Sequence, residues 1–576
     1  MSAGPLAPQL PRFIERSTHD LVRMWNRDLS LWSADPDTQR QIGHRLGWLD
    51  APAVVADALE RLVRFASKAR EDGYTHAVLL GMGGSSLAPE VLRAVVGPSP
   101  GWLQLHVLDS TDPAAILAAE APPARTLVIV ASKSGTTIEP VSLMAAFRQR
   151  LLDSGVERWA DHFVAITDGG TELALSARAE GFREVFINPS DIGGRYSALS
   201  FFGLVPAALM GLDMTALLGW GLAELLDVAQ TCEGGHPGSP CGAVVLGAAL
   251  AAGARSGRDK VTLLLPAGLE PFGLWVEQLV AESTGKRGLG IVPIAGETPT
   301  SAAHYGPDRL FVRMHLPGAD SSDGLIDDLS HAGHPTLDIT VPENEALGAE
   351  FLRWELATAL AAAHLGVNPF DEPNVAQAKE ATSRLIQEYR TQGQLPRVPP
   401  DRMLAPSISL RASQAAKASG RLDDATAILG QLTAGDYFAL LAYVGPDPIL
   451  ARQLHLLRMA VRDRTGVATM FGYGPRYLHS TGQLHKGGAN NGVFLLVTAE
   501  PRADLPIPGE GLTFGTLELA QALGDFASLD ATGRRALHVH LPEPDPALVA
   551  LVGTALLAHA APVVTGDSGN RAAPNR

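Results

Sequence analysis

Two glycine- and hydroxyl-rich segments have the residue types to hold an anion. The first, GMGGSSLAP (81–89), follows a β-like run ending at Leu80 and leads into a helical pattern through Glu90, Val91 and Leu92. Gly81, Gly83 and Gly84 let the backbone approach a ligand closely. Ser85 and Ser86 add hydroxyls where a helix N-terminus leaves N–H groups unpaired. The segment lacks the GK[ST] of a Walker loop, and Ser86 stands where a dinucleotide fingerprint needs its third glycine. It also reads as a tight turn closed by a serine N-cap. The second, SKSGTT (132–137), joins the strand-like TLVIVAS to another helix. Ser132, Ser134, Thr136 and Thr137 surround Lys133, a donor set suited to phosphate. On neighbouring parallel strands the two loops would share the carboxyl edge of the sheet, where open α/β folds bind ligands. Together they point to phosphate binding.

Four further residues could act on what those loops hold. Arg195 follows two glycines in GGRYS (193–197) and offers a planar fork of donors; pairing with Asp191 is the other use open to it. Glu282 lies in AESTGK (281–286) at the end of an amphipathic helical pattern. Lys286 is four residues on, at ion-pair spacing. Thr284-Gly285 interrupts the helix, however, and a Glu among apolar neighbours there has the raised pKa that suits a base toward a carbon acid. His304, in TSAAHYGP, and Lys379, on a helical pattern after NPFDEPNV, fit either catalysis or an ordinary surface place. A later loop with His479, Ser480, His485 and Lys486 fits a second ligand site, a lid or an interface.

The elements that must position these groups alternate between short β-rich runs and longer helical ones. Residues 13–70 read as helices, with Leu21, Val22, Trp25, Leu29 and Trp32 at helical spacing. Strand-like runs follow at 76–81, 103–109, 126–132, 162–168 and 184–189. After a Gly/Pro/Ser-rich break at 233–242 come 260–266, 290–296, 309–316 and 336–342, then a long helix through 346–366. Residues 371–435 read as mostly helical, with a Pro-rich link at 395–406. A third series has strands at 437–444, 468–474, 492–498 and 536–542, with helices at 447–465, near 513–528 and at 546–559. Strands separated by helices predict parallel sheets, so the fold class is α/β. The expected division is 1–70 helical, 71–215 and 216–390 two α/β domains, 391–565 an additional α/β unit, and 566–576 a disordered tail.

Composition narrows the classes of function. Of 576 residues 46% are hydrophobic and 19% charged, the proportions of a soluble protein with real cores. A net charge of −15 argues against non-specific nucleic-acid or acidic-membrane binding, without excluding a small anion held by local cations. Cys232 and Cys241 are the two cysteines, so no disulfide framework is expected. The N-terminus lacks the features of a secretory signal, and the apolar runs at 241–254 and 548–564 read as buried helices. A cytoplasmic protein is expected.

Taken in order, GMGGSS, SKSGTT, GGRYS, ESTGK, a His about twenty residues on, and NPFDEPNV followed by Lys379 resemble glucose-6-phosphate isomerase over roughly 75–385. The C-terminal FGYGPRYLHSTGQLHKGG (471–488) resembles the isomerase portion of bifunctional transaldolase/glucose-6-phosphate isomerase proteins. Only about 70 residues precede the first strand, so transaldolase activity is not expected. The resemblance implies two sugar-isomerase (SIS) domains, each a parallel sheet flanked by helices. It implies that Gly84, Ser85, Ser132, Lys133, Ser134 and Thr137 hold the substrate phosphate. Glu282 would move the proton between C2 and C1, Arg195 would stabilise the cis-enediolate, and His304 with Lys379 would serve ring opening. It further implies a homodimer in which His304 serves the partner's site, with no metal and no organic cofactor. Thr284 departs from the acidic residue some relatives carry. The competing readings are an isomerase for mannose 6-phosphate or a hexosamine phosphate, and a catalytically silent sugar-phosphate sensor.

Overall fold

The computed structural model describes residues 1–563 except 235–239, 319–322, 397 and 420–423, so the expected tail at 566–576 and half of the 233–242 break lie outside the described residues. Three sheets organise the chain. The first contains β1 (His76–Gly81), β2 (Gln104–Leu108), β3 (Thr126–Ala131), β4 (Phe163–Asp168) and β5 (Glu184–Asn188) in the order β2-β1-β3-β4-β5, all parallel. The second contains β6 (Lys260–Leu264), β7 (Val292–Ile294), β8 (Arg309–His315) and β9 (Thr336–Thr340) in the order β7-β6-β8-β9, again parallel. Strands such as TLVIVA are buried throughout, as expected where helices cover both faces of a parallel sheet.

In both sheets the chain reverses its direction of growth beside the first strand. That reversal opens a crevice at the carboxyl edge between the first and third strands. The loops after β1 and β3 carry GMGGSS and SKSGTT, and they flank this crevice because β1 pairs directly with β3.

The third sheet follows the same plan. It comprises β10 (Arg402–Ala405), β11 (Ile408–Ala412), β12 (Tyr437–Tyr443), β13 (Ala468–Tyr473), β14 (Gly492–Ala499) and β15 (Arg535–Leu541) in the order β10-β11-β15-β14-β12-β13. Its parallel part, β13-β12-β14-β15, repeats the order of the second sheet. β10 and β11 form an antiparallel pair added to its edge. This corrects the expectation that 371–435 is mostly helical. The long helix there is Val375–Gln392, the prolines beyond it lead into the hairpin, and among the described residues only the short helix Gln414–Ala418 and a 3-10 stretch at Ala425–Gln431 follow. Ile408, Leu410 and Ala412 are buried while Ser409 and Arg411 are half-buried, the period-two alternation of a strand.

The N-terminal helices Leu10–Trp25, Pro36–Gly43 and Ala51–Glu71 brace the Arg195 loop and the helix Leu347–Leu365. Leu46 bridges to Ile192, Gly47 N–H donates to Asp191 O at 3.1 Å, and Trp48 packs on Tyr196 with ring centroids 5.0 Å apart. Trp32 Nε1–H donates to Ala359 O at 3.0 Å. Every residue of Leu347–Leu365 except Arg353 is buried, so this helix is enclosed on all sides and forms the axis of the first two units.

The third unit is fastened to the second by buried charge. Arg309, at the start of β8, pairs with Glu297 at 3.0 and 3.2 Å, and both side chains are wholly buried. Glu297 also accepts from Thr469 N–H at 2.8 Å and Thr469 Oγ1–H at 2.7 Å on β13, while Arg309 donates to Val467 O. Arg458 Nη2–H donates to Ala295 O at 2.7 Å from the other side. Removing one partner of a buried ion pair leaves an uncompensated charge, which costs about 3–5 kcal/mol. Glu297→Ala is therefore expected to lower chemical stability by about that amount. A denaturation midpoint equal to that of the parent would show that the pair does not hold the units together.

Candidate active site

Glu282 sits two residues before the end of the helix Glu270–Thr284, whose second half is buried without interruption. The helix ends at Gly285, where the third unit comes too close for a side chain. A Cβ there would lie 2.5 Å from Leu484 Cα and 2.7 Å from Ala281 O. Burial pushes the Glu282 carboxyl above its ordinary value, and the charge of Arg195 partly opposes that rise. Arg195 Nη1 lies 3.2 Å from Glu282 Oε1. The same guanidinium donates to Ser283 Oγ, Glu372 Oε2, Pro369 O and Asp371 O at 2.6–3.2 Å. Arg195 therefore pairs with Glu282 and Glu372 rather than with Asp191. Lys286 turns from Glu282 to Asp371, 2.8 Å away, and to Asn368 O. Burial and neighbouring Arg195 depress its pKa to about 8.

Gln278, one helical turn before Glu282, completes this corner. Its Nε2 donates to Glu282 Oε2 at 3.1 Å and to His479 O at 2.7 Å. Both amide protons are thereby used, and the buried Oε1 has no hydrogen-bond partner among the described residues. An unpaired acceptor beside a carboxylate suits a sugar hydroxyl. The GMGGSS loop closes the corner from below. A Cβ on Gly84 would meet Gly194 O at 2.0 Å, and one on Gly83, whose φ is +53°, would meet His479 O at 2.5 Å. Ser85 is buried in the same turn, and Ser86 Oγ–H donates to Gly83 O at 3.1 Å.

The SKSGTT loop lines a neighbouring cavity of about 210 Å³. Ser134, Thr136 and Thr137 face it together with Lys379, Glu139 and His479. Ser132 Oγ lies 3.1 Å from Thr137 Oγ1 and accepts from Gly135 N–H, so it shapes the loop. Lys133, expected on the phosphate, instead reaches Asp168 Oδ2 at 2.5 Å and Ser190 O at 2.9 Å. Lys379, on the helix Val375–Gln392, is the exposed cation bordering the cavity.

His304 stands apart from these groups within the chain. It is exposed, with Nδ1 at 3.2 Å from Thr300 Oγ1 and 3.1 Å from Ser301 Oγ. It lines a different cavity, bounded by Gly306, Asp436 and Arg464. Sequence reasoning missed Gln278, Glu139 and Gln521 as members of the site. The four-residue spacing of Gln278 and Glu282 was a legible signal, whereas Gln521 reaches Glu139 across more than 380 positions. Among the described residues no group of three or more His, Cys, Asp or Glu could hold a metal ion. Cys241 is buried, Cys232 half-buried, and both are free thiols.

Because a Cβ on Gly84 collides with backbone rather than with a yielding side chain, Gly84→Ala must displace one of the two loops. Overpacking of this kind costs roughly 1–3 kcal/mol. The variant is expected to melt at lower temperature and to bind a sugar phosphate more weakly, read by calorimetry. Wild-type binding would mean that the contact between the two loops does not shape the site.

A family model described as phosphoglucose isomerase matches residues 58–287. A protein named glucose-6-phosphate isomerase from Synechococcus sp. (strain JA-3-3Ab) is 30% identical over 419 residues, covering 62% of this chain and 77% of that protein. One of the same name from Cyanothece sp. (strain PCC 7425 / ATCC 29141) is 29% identical, covering 61% and 76%. Among solved structures, a hypothetical protein from Thermus thermophilus superposes with a TM-score of 0.55 at 25% identity, over 66% of this chain and 98% of that one. The chain belongs to the glucose-6-phosphate isomerase family.

Proposed function

We propose that this protein interconverts glucose 6-phosphate and fructose 6-phosphate through a cis-enediolate. The observation that carries the reading is a buried carboxylate of raised pKa, Glu282, held 3.2 Å from the buried guanidinium of Arg195. Moving a proton from C2 to C1 needs one base that both takes and returns it, and a fixed positive charge beside the oxygens that become negative. Glu282 takes the C2 proton of the open-chain aldose as C1=C2 forms, and the C1 carbonyl oxygen gains the charge that Arg195 faces. The O2 proton then passes to O1 through the site, Glu282 gives its proton to C1, and the ketose results. Charge preorganised in a water-poor corner favours this intermediate more than mobile solvent does.

The hydroxyls of Ser134, Thr136 and Thr137, with Lys379, make the phosphate end of the site. Holding the dianion there fixes C1 and C2 against Glu282, which turns binding into orientation. The sensor alternative leaves the Glu282–Arg195 pair and its desolvation without a use. The same reading takes the protein to be a cytoplasmic homodimer acting on free hexose phosphate, with neither nucleic acid nor membrane as partner. No described helix is long and apolar enough to cross a membrane, which is compatible with that placement.

The first test is conversion of fructose 6-phosphate by the purified chain in EDTA. Turnover is expected, and Glu282→Gln is expected to lower kcat by ~10²–10⁴-fold, the usual contribution of a general base. Binding without conversion by the parent would refute the activity, and full turnover by the variant would refute the base. A carboxylate base works only when ionised, and burial raises this one above its ordinary 4.5. The acid limb of kcat/KM should therefore have its midpoint above pH 4.5 and should flatten in Glu282→Gln. A limb lying at or below that value would place the titrating base elsewhere.

A further inference from the structure

Hexose phosphates reach a site mostly as closed rings, so isomerisation must be preceded by cleavage of the C1–O5 bond (C2–O5 in the ketose). Cleavage needs an acid at the ring oxygen. We propose that His479, carried into the site by the third α/β unit, is that acid in place of His304, so that one chain supplies the whole ring-opening and isomerising set. The inference rests on the isomerase reading.

Three observations support it. His479 lines the same cavity as the Ser134–Thr137 hydroxyls and Lys379. Its backbone oxygen is held by Gln278, whose amide also bonds Glu282, so the histidine is tied to the base by a single residue. Its Nε2 lies 2.9 Å from Oε1 of Glu139, a buried carboxylate that also accepts from Gln521 Nε2–H at 2.7 Å. Among the described residues Nδ1 makes no hydrogen bond, which leaves it to meet a ligand. Burial alone would raise the Glu139 carboxyl, but the charge and hydrogen bond of His479 outweigh burial and hold it below its ordinary value. An ionised Glu139 is the counter-charge for an imidazolium beside it. Among the described residues His304 has no hydrogen bond to a carboxylate, and it lines another cavity.

The imidazolium Nδ1–H gives its proton to O5 as the C1–O5 bond breaks, the O1 hydroxyl loses its proton to water, and C1=O1 forms. Solvent returns a proton to Nδ1, so nothing is consumed.

Exchange between the α and β anomers of glucose 6-phosphate passes through the same ring opening without touching the C2 proton. Magnetisation-transfer NMR of that exchange therefore reads the step separately from isomerisation. Glu282→Gln is expected to keep accelerating anomer exchange. His479→Asn is expected to fall to the buffer rate and to lose ~10²-fold or more in isomerisation, the lower end of a general-acid contribution. A five-carbon aldonate 5-phosphate, which is already open-chain, should bind His479→Asn as it binds the parent, showing an intact pocket. Accelerated exchange in His479→Asn overturns the proposal, as does loss of binding to the open-chain probe. Loss of exchange in His304→Asn, with retention in His479→Asn, returns the acid to His304. A parent that exchanges anomers but does not isomerise would refute the isomerase reading while leaving the ring-opening assignment standing.

Discussion

The buried guanidinium of Arg195 is the point on which the site depends. A cation removed from water is tolerated only where its donors are met, and here they are met by two stretches of chain outside its own loop. Ser283 and Glu282 come from the end of one helix, Pro369 and Asp371 offer backbone carbonyls from a loop, and Glu372 closes the far side. Satisfying one side chain therefore fixes the first sheet's last loop, the helix that carries Glu282 and the entry to Val375–Gln392 relative to one another. The N-terminal helices act on the same point, since Trp48 and Phe370 both pack on Tyr196.

The third unit is built into this arrangement. Gln483 Nε2–H donates to Gly285 O at 2.9 Å, at the end of the Glu282 helix, and Asn374 N–H donates to Gln483 Oε1 at 2.9 Å. Lys486 and Tyr477 both hold Asp525 at 2.6 Å in the interior. Much of the STGQLHKGG loop is thus spent on docking, and its glycines permit the approach: a Cβ on Gly487 would lie 2.4 Å from Asn374 Oδ1. Arg476, in the same loop, takes Asp109 at the end of β2 in a two-pronged pair at 2.7 Å. The loop after β13 is therefore held by both earlier sheets.

Period and punctuation made most of the fold legible in the sequence. Runs such as TLVIVA and KVTLL admit little but a buried strand, and the helix Leu347–Leu365 ends on Gly366 in the left-handed region. The hairpin at 402–412 was obscured because its prolines and short strands resemble a linker, although Ile408, Leu410 and Ala412 alternate. In the site, Glu282, Arg195 and the hydroxyl loop were visible as local patterns. The orientation of Lys133 was not, because Asp168 and Ser190 belong to other strand ends. Nor was the pairing of Glu139 with His479, which joins residues 340 positions apart and has no local signature. Local chemistry leaves a trace in local sequence, whereas partners chosen by topology do not.

The distance along the chain between Glu282 and His479 has a consequence for biogenesis. Domains fold as they emerge, and at ~5–20 residues per second roughly 10–40 s separate synthesis of the two residues. During that interval the first two units can bury Arg195 against Glu282 while Glu139 still waits for both Gln521 and His479. A nascent chain at that stage has Glu282 and Arg195 paired and the Glu139 carboxylate still without its partners from the last unit. The late-arriving unit then supplies the hydrogen-bond partners of Glu139 as it closes over that carboxylate. Glu139 has its full set of partners only once the third unit has docked on the first.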